Sequence, residues 1–347
     1  MDLDGDGITD VLSGSWPGEL FFFRGRGKVN GVPQFERPVK LKDKNNKTIN
    51  IGGGVRREQD GSVLVTGDGK FETKDGKQFI VYEDRRIEVD PKVGGGITGT
   101  ASAVHAFDYD GDGDLDLLVG DIRGNVYLVP NEGTKQKWAF GEHRELPCAG
   151  GTVKVEGDAG PFVADWDGNG SPDLLVGSGD GSVWVYYNTA PKGKPMQLAA
   201  GKQLVPPAAS SFGENATTEP TRGNRSKVCV ADWNGDGLPD LLLGDFAFVK
   251  PKPVQYTPEQ QAQVDKDKAA MEEARKQYSE LIQQYMDKAA RQKRSPEENE
   301  KLQKDLGEAS KKYSELYQKV PHETEEHGWV WLFLRKPSEQ ARAAPTQ

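Results

Sequence analysis

Asp165-Trp166-Asp167-Gly168-Asn169-Gly170-Ser171-Pro172-Asp173, followed at once by Leu174-Leu175-Val176-Gly177, is the stretch whose reading decides the fold. Oxygen side chains at loop positions 1, 3, 5 and 9, with a main-chain carbonyl at position 7, suit a hard cation that takes six to eight oxygen ligands. Glycines at positions 4 and 6 let the chain curl without a Cβ clash. The apolar run that follows is too short for a helix and ends at glycine, which fits a buried strand.

The same loop occurs three more times. Loop 1 is Asp2, Asp4, Asp6, Ile8 and Asp10; loop 2 is Asp108, Asp110, Asp112, Asp114 and Asp116. Loop 3 is the one quoted, with Asp165, Asp167, Asn169, Ser171 and Asp173 as its ligand positions, and loop 4 is Asp232, Asn234, Asp236, Leu238 and Asp240. Four such loops in one register predict about four Ca2+ sites. An EF-hand would need a carboxylate at position 12, where this chain has Ser13, Val119, Val176 and Leu243. That reading fails.

Each loop is followed by an apolar strand, and in the first three units by a turn and a second patterned strand: Leu20–Phe23, Val126–Val129 and Val183–Tyr186. Further strands are predicted before three of the loops, at Ala103–Phe107, Pro161–Ala164 and Val228–Ala231. Strand, loop, strand, turn, strand and a variable stretch make a four-stranded unit, and repetition of that unit suggests propeller blades. The runs at 163–177 and 230–244 resemble FG-GAP/VCBS repeats, as in integrin-alpha-like propellers of the secreted bacterial type. The resemblance implies a mainly β fold, a β-propeller with calcium in the hairpin between the first two strands of each blade. It covers residues 1–250 and 328–336.

Three departures from the repeat carry further expectations. Residues 55–100 fill an excess between loops 1 and 2, predicted as an extra hairpin or a degenerate blade. Unit four breaks after Gly244, and its missing strand returns at Gly328-Trp329-Val330-Trp331-Leu332-Phe333. Within the interruption, Thr257-Pro258-Glu259-Gln260 and Ser295-Pro296-Glu297-Glu298 are capping boxes with proline at the first helical position. Apolar seams at Val264, Met271, Ala274, Tyr278, Leu281 and Tyr285, and at Leu302, Leu306, Ala309, Tyr313, Leu316 and Val320, predict an antiparallel α-helical coiled-coil hairpin over 257–320. Finally, Met1 occupies the place of Phe107, Ala164 and Ala231. This suggests a chain that continues upstream, where a signal peptide belongs. Residues 337–347 are predicted to be a disordered tail.

Composition narrows the partners. A net charge of −9 opposes nucleic-acid binding, and fourteen of the carboxylates stand at loop positions 1, 3, 5 and 9, whose side chains would face the ion. No apolar run is long enough for a membrane span. Cys148 and Cys229 match no zinc motif; two readings stand, a disulfide between them and, favoured over it, two isolated, mostly buried thiols. The four histidines form no ligand pair, and His105 reads as a core residue. Trp166 and Trp233 recur in the repeat and read as packing residues; Trp16, Trp138 and Trp184 are candidates for stacking on sugars. N-glycosylation triplets at Asn46, Asn215 and Asn224 are short enough to arise by chance.

Three functional readings stay open. The first is an extracellular, periplasmic or cell-surface binding or scaffold module for a glycan or protein. The resemblance also admits the propeller of a carbohydrate-active lyase or dehydratase, of the aldos-2-ulose dehydratase kind, although no catalytic motif is visible. The third is an adaptor that meets its partner through the helical arm.

Overall fold

The computed structural model describes residues 1–51, 54–57, 61–66, 69–74, 77–82, 85–90, 94–209, 216–286 and 294–336. The chain divides into two compact units, one of residues 1–215, 220–248 and 326–347, the other of 216–219 and 249–325. The predicted tail and Asn215 lie outside the described residues.

The first unit is a succession of antiparallel blades, and the fold is β-propeller-like. Blade I pairs Val11–Gly14, Leu20–Phe23 and Val39–Lys40. Blade II orders Ala103–Phe107, Asp116–Gly120, Val126–Val129 and Arg144–Glu145; blade III orders Gly160–Ala164, Asp173–Gly177, Val183–Tyr186 and Lys202–Val205. In blade IV, Asp240–Val249 pairs with Asn224–Ala231 on one side and with Val330–Phe333 on the other. The strand predicted to return after the interruption therefore does so, with Leu242 opposite Leu332 as Leu175 is opposite Val185.

Side chains alternate across each strand, so every blade offers an apolar face to each neighbour. Leu117 and Val119 of blade II pack with Leu20 and Phe22 of blade I, while Leu118, Val126 and Leu128 pack with Leu174 and Val176 of blade III. Leu175, Val183 and Val185 then meet Leu241 and Leu243 of blade IV. The core is thus three successive layers between blades.

The described strands between residues 54 and 98 form two three-stranded sheets. Val63–Thr66 lies between Gly54–Arg57, antiparallel, and Gly95–Thr98, parallel; Lys77–Tyr82 lies between Lys70–Lys74 and Arg85–Val89. They share a core of Val63, Val65, Ile80, Tyr82 and Val89. Blades I and II nevertheless abut directly, because the Ser102 N–H donates to the Ser15 carbonyl at 3.1 Å and the Ala101 N–H to the Trp16 carbonyl at 3.0 Å. The two sheets branch off between these neighbours.

The second unit contains a helical hairpin, Pro258–Met286 and Pro296–Tyr317. Both capping boxes form: the Gln260 N–H donates to Thr257 Oγ1 at 3.3 Å while the Thr257 N–H donates to the Gln260 side chain at 2.9 Å, and Ser295 and Glu298 make the same exchange. Ala274, Leu302, Ala309 and Val320 are buried, and the Tyr278 and Tyr313 rings stack at 6.0 Å. The predicted seams are the faces the helices turn inward.

Two expectations about side chains need correcting. Cys229 is exposed, not buried, while Cys148 is half-buried and its thiol is pushed up by that burial; neither is in a disulfide. Trp166 is buried under the guanidinium of Arg335, 5.1 Å from its ring, but Trp233 is 63% exposed. Trp166 packs on the following blade, and among the described residues none follows blade IV.

Candidate metal centres

The four loops share one main-chain scaffold. The position-1 carboxylate accepts from the N–H of position 6 at 3.1 Å in loops 1 and 2 and at 2.9 Å in loops 3 and 4. The side chain at position 5 accepts from the N–H of position 7 at 2.8, 3.0, 2.7 and 2.9 Å in turn. Both glycines adopt left-handed φ, for example 78° at Gly168 and 84° at Gly170. That conformation points the loop's amides inward and makes glycine the residue of choice.

The ninth residue does a second job that the motif alone did not reveal. Its Oδ2 accepts from the N–H of loop position 2, at 2.9 Å for Leu3 and Tyr109 and 3.0 Å for Trp166 and Trp233. Its Oδ1 accepts from an N–H just past the third strand: Gly25, Asn131, Asn188 and Arg335, at 2.7–2.8 Å. The separation is 15 residues in the first three blades and 95 in the fourth. Asp240 thus makes the same bond across the whole interruption. Asp10, Asp116, Asp173 and Asp240 are all buried, where two N–H donors replace the water a carboxylate loses. The fixed spacing of 15 was the sequence signal for this role.

Three loops bring carboxylates together. One oxygen each from Asp2, Asp4 and Asp6, from Asp108, Asp110 and Asp116, and from Asp165, Asp167 and Asp173 lie within 4.8 Å of one another. Loop 4 makes no such group among the described residues: Asn234 replaces one carboxylate, and Asp232 and Asp236 are exposed. Asp10 and Asp112 fall outside the groups of their own loops.

These clusters fit a cation better than they fit an empty space. The buried Oδ1 atoms of Asp2 and Asp114 have no hydrogen-bond partner, although buried polar atoms normally have one. Asp114, expected to offer only its carbonyl, also buries its side chain. Burial, then the neighbouring carboxylates of Asp112, Asp116, Asp110 and Asp108, push its pKa up to about 6. Burial likewise raises Asp4, Asp116 and Asp173. A divalent cation in the cluster reverses the sign of that local field.

No histidine joins a loop. His105 Nε2 accepts from the Val163 N–H at 3.3 Å, and its ring meets Phe162 at 4.8 Å. Burial lowers its pKa to about 4, as expected of a neutral structural imidazole.

The loop-to-loop unit defined by this geometry is also what known proteins share with the chain. Residues 108–176 and 165–243 match the model of the FG-GAP-like repeat, each span running from the first aspartate of one loop into the strand after the next. Residues 108–243 therefore carry FG-GAP-like repeats. It is similar to integrin alpha-7 of Homo sapiens, 27% identical over 218 residues, and to integrin alpha-4 of Xenopus laevis, 25% identical over 263 residues. The matches cover 58% and 69% of this chain but 17% and 24% of those relatives.

Proposed function

We propose that the chain is a calcium-stabilised, extracytoplasmic propeller module that binds or scaffolds a glycan or protein partner. The observation that carries the calcium reading is the set of acidic clusters in loops 1, 2 and 3, with buried, unpartnered carboxylate oxygens in loops 1 and 2. Asp108, Asp110 and Asp116 would hold one ion and Asp165, Asp167 and Asp173 another, the carbonyls of Asp114 and Ser171 completing the shell. The ion neutralises carboxylates that otherwise repel one another within a few ångströms. Its place is inside the hairpin of a blade, so it supports the fold and leaves recognition to the outer surface.

The binding reading rests on the similarity to integrin alpha chains, and the extracytoplasmic location rests on it too. No helix among the described residues is long and apolar enough to cross a membrane. Trp16 is 60% exposed and suits contact with a sugar ring or an apolar protein side chain.

Thermal unfolding with 1 mM calcium and with excess chelator tests the first half. If the sites bind near ~10 μM, calcium adds about 2.7 kcal/mol per site, visible as a rise in Tm. An identical Tm in both conditions overturns the calcium reading. Glycan arrays and protein pull-downs probed with the calcium-loaded chain test the second half; turnover of a sugar substrate would replace it with the enzyme reading.

A further inference from the structure

Loop 1 differs from its sisters in that positive side chains pair with its carboxylates. The guanidinium of Arg24 forms an ion pair with Asp4, and the ammonium of Lys135 in blade II lies 3.7 Å from Asp2 Oδ2. The Lys135 stem passes 3.0 Å from where a Cβ on Gly5 would stand, so it covers the loop as well as charging it. Among the described residues, no carboxylate of loops 2, 3 or 4 makes an ion pair. Lys192 comes near Gly170 of loop 3, yet pairs with none of that loop's carboxylates.

The position of Arg24 explains its reach. It directly precedes Gly25, whose N–H is held by Asp10. The residues at the same place in the other blades, before Asn131, Asn188 and Arg335, are Pro130, Tyr187 and Leu334, and none of them is charged. The residue before the anchor thus delivers a cation to a loop carboxylate in blade I alone; in blade IV the anchor itself, Arg335, turns its guanidinium to the Trp166 carbonyl of loop 3 and pairs with no loop carboxylate among the described residues. Asp4 is buried while Arg24 is half-exposed, so solvent screens the pair from the guanidinium side only. The orphaned Oδ1 of Asp2 shows that the cluster is not fully satisfied by these two cations.

We infer that Arg24, assisted by Lys135, is a built-in counter-ion that occupies the charge role calcium takes in loops 2 and 3, making loop 1 a weak, displaceable calcium site. The inference rests on the calcium reading above. A metal entering loop 1 must first break the Arg24–Asp4 pair, whereas in loops 2 and 3 it meets uncompensated carboxylates. Blade I then keeps its hairpin when calcium is scarce, while blades II and III loosen.

Calorimetric titration of the full chain with calcium tests this, beside the variants Arg24→Met and Lys135→Met. The expected result is a tight class of sites in the wild type and one weaker site that Arg24→Met strengthens on the order of tenfold, a change of about 1.4 kcal/mol. Adding Asp2→Asn to Arg24→Met should abolish that gained site. An unchanged isotherm in Arg24→Met, with the tight class intact, overturns the inference and leaves the calcium reading standing. Absence of any binding in the wild type overturns the calcium reading itself. If Arg24→Met fails to fold, Lys135→Met, at a half-exposed side chain, must shift the same site in the same direction by a smaller factor; no shift there overturns the inference.

Discussion

The junctions between blades and the outward face of blade IV are built from the same positions and meet different surroundings. At the junctions, a Cβ on Gly14, Gly120 or Gly177 would collide with the carbonyl oxygen of Ser102, Ala159 or Ser226 in the next blade. The equivalent Gly244 has its nearest atom, the Lys227 carbonyl oxygen, at 3.7 Å. Val183 and Val185 are fully buried, whereas their counterparts Val330 and Leu332 are 69% and 42% exposed. The difference teaches that these repeated residues answer to a neighbour and not to their own sheet. None of the four glycines has a left-handed backbone, so conformational freedom does not explain them. Close approach of the following blade explains three.

The largest effect should come from breaking that approach. Gly177→Ala forces either the Ser226 carbonyl or the whole inner strand of blade IV to move, and neither can yield without separating two blades. Urea unfolding should register a loss of about 3 kcal/mol or more. Gly244→Ala, by contrast, should stay within about 0.5 kcal/mol of the parent. Equal losses at both positions would show that the glycine serves its own blade, and the comparison would collapse.

The next contrast concerns burial alone. Leu175 is fully buried between blades III and IV, and truncating it to alanine should cost about 3 kcal/mol through lost transfer energy and the cavity left behind. Leu332→Ala on the open face of blade IV should cost less than about 1 kcal/mol. Denaturant midpoints with unchanged m-values would establish both. A large loss at Leu332 would mean that its face is covered in solution.

Much of this architecture was legible before the structure because the loop sets the register. Counting from each ninth aspartate places the strand, its glycine and the interruption of blade IV, and the 95-residue bond of Asp240 closes on the segment that was expected to return. The capping boxes and helical seams were equally local. What could not be read depends on distant partners. Lys70–Lys74 is an exposed polar edge strand, and Gly95–Thr98 is glycine-rich and pairs in parallel with a strand some thirty residues earlier, so neither carries a clear alternating pattern. The Arg24–Asp4 pair and the exposure of Trp233 likewise depend on what stands beside the loop. The ninth aspartate was seen as a ligand and missed as an anchor, since its second partner lies beyond two further turns.

The smallest effect sharpens the comparison from inside a junction. His105 lies on the inner strand of blade II and accepts from Val163 on the inner strand of blade III, so protonating Nε2 breaks a bond between blades. With burial holding its pKa at about 4, below the unfolded value near 6.5, the folded state favours the neutral ring. Its contribution is fully present above about pH 6.5 and is lost as the pH falls from there through about 4, because the unfolded chain takes up the proton first. Allowing for partial solvent screening, the loss should be about 1–2 kcal/mol in unfolding free energy between pH 7.5 and pH 4.5. Titrating loop carboxylates add their own slope, so the useful quantity is the difference between the parent and His105→Gln, measured at saturating calcium. The glutamine can still accept from Val163 and does not titrate, so its curve should be flatter across this window. If the two curves run parallel, the imidazole is not held neutral by the junction, and the contact between blades II and III is looser at the inner strand than its apolar layer suggests.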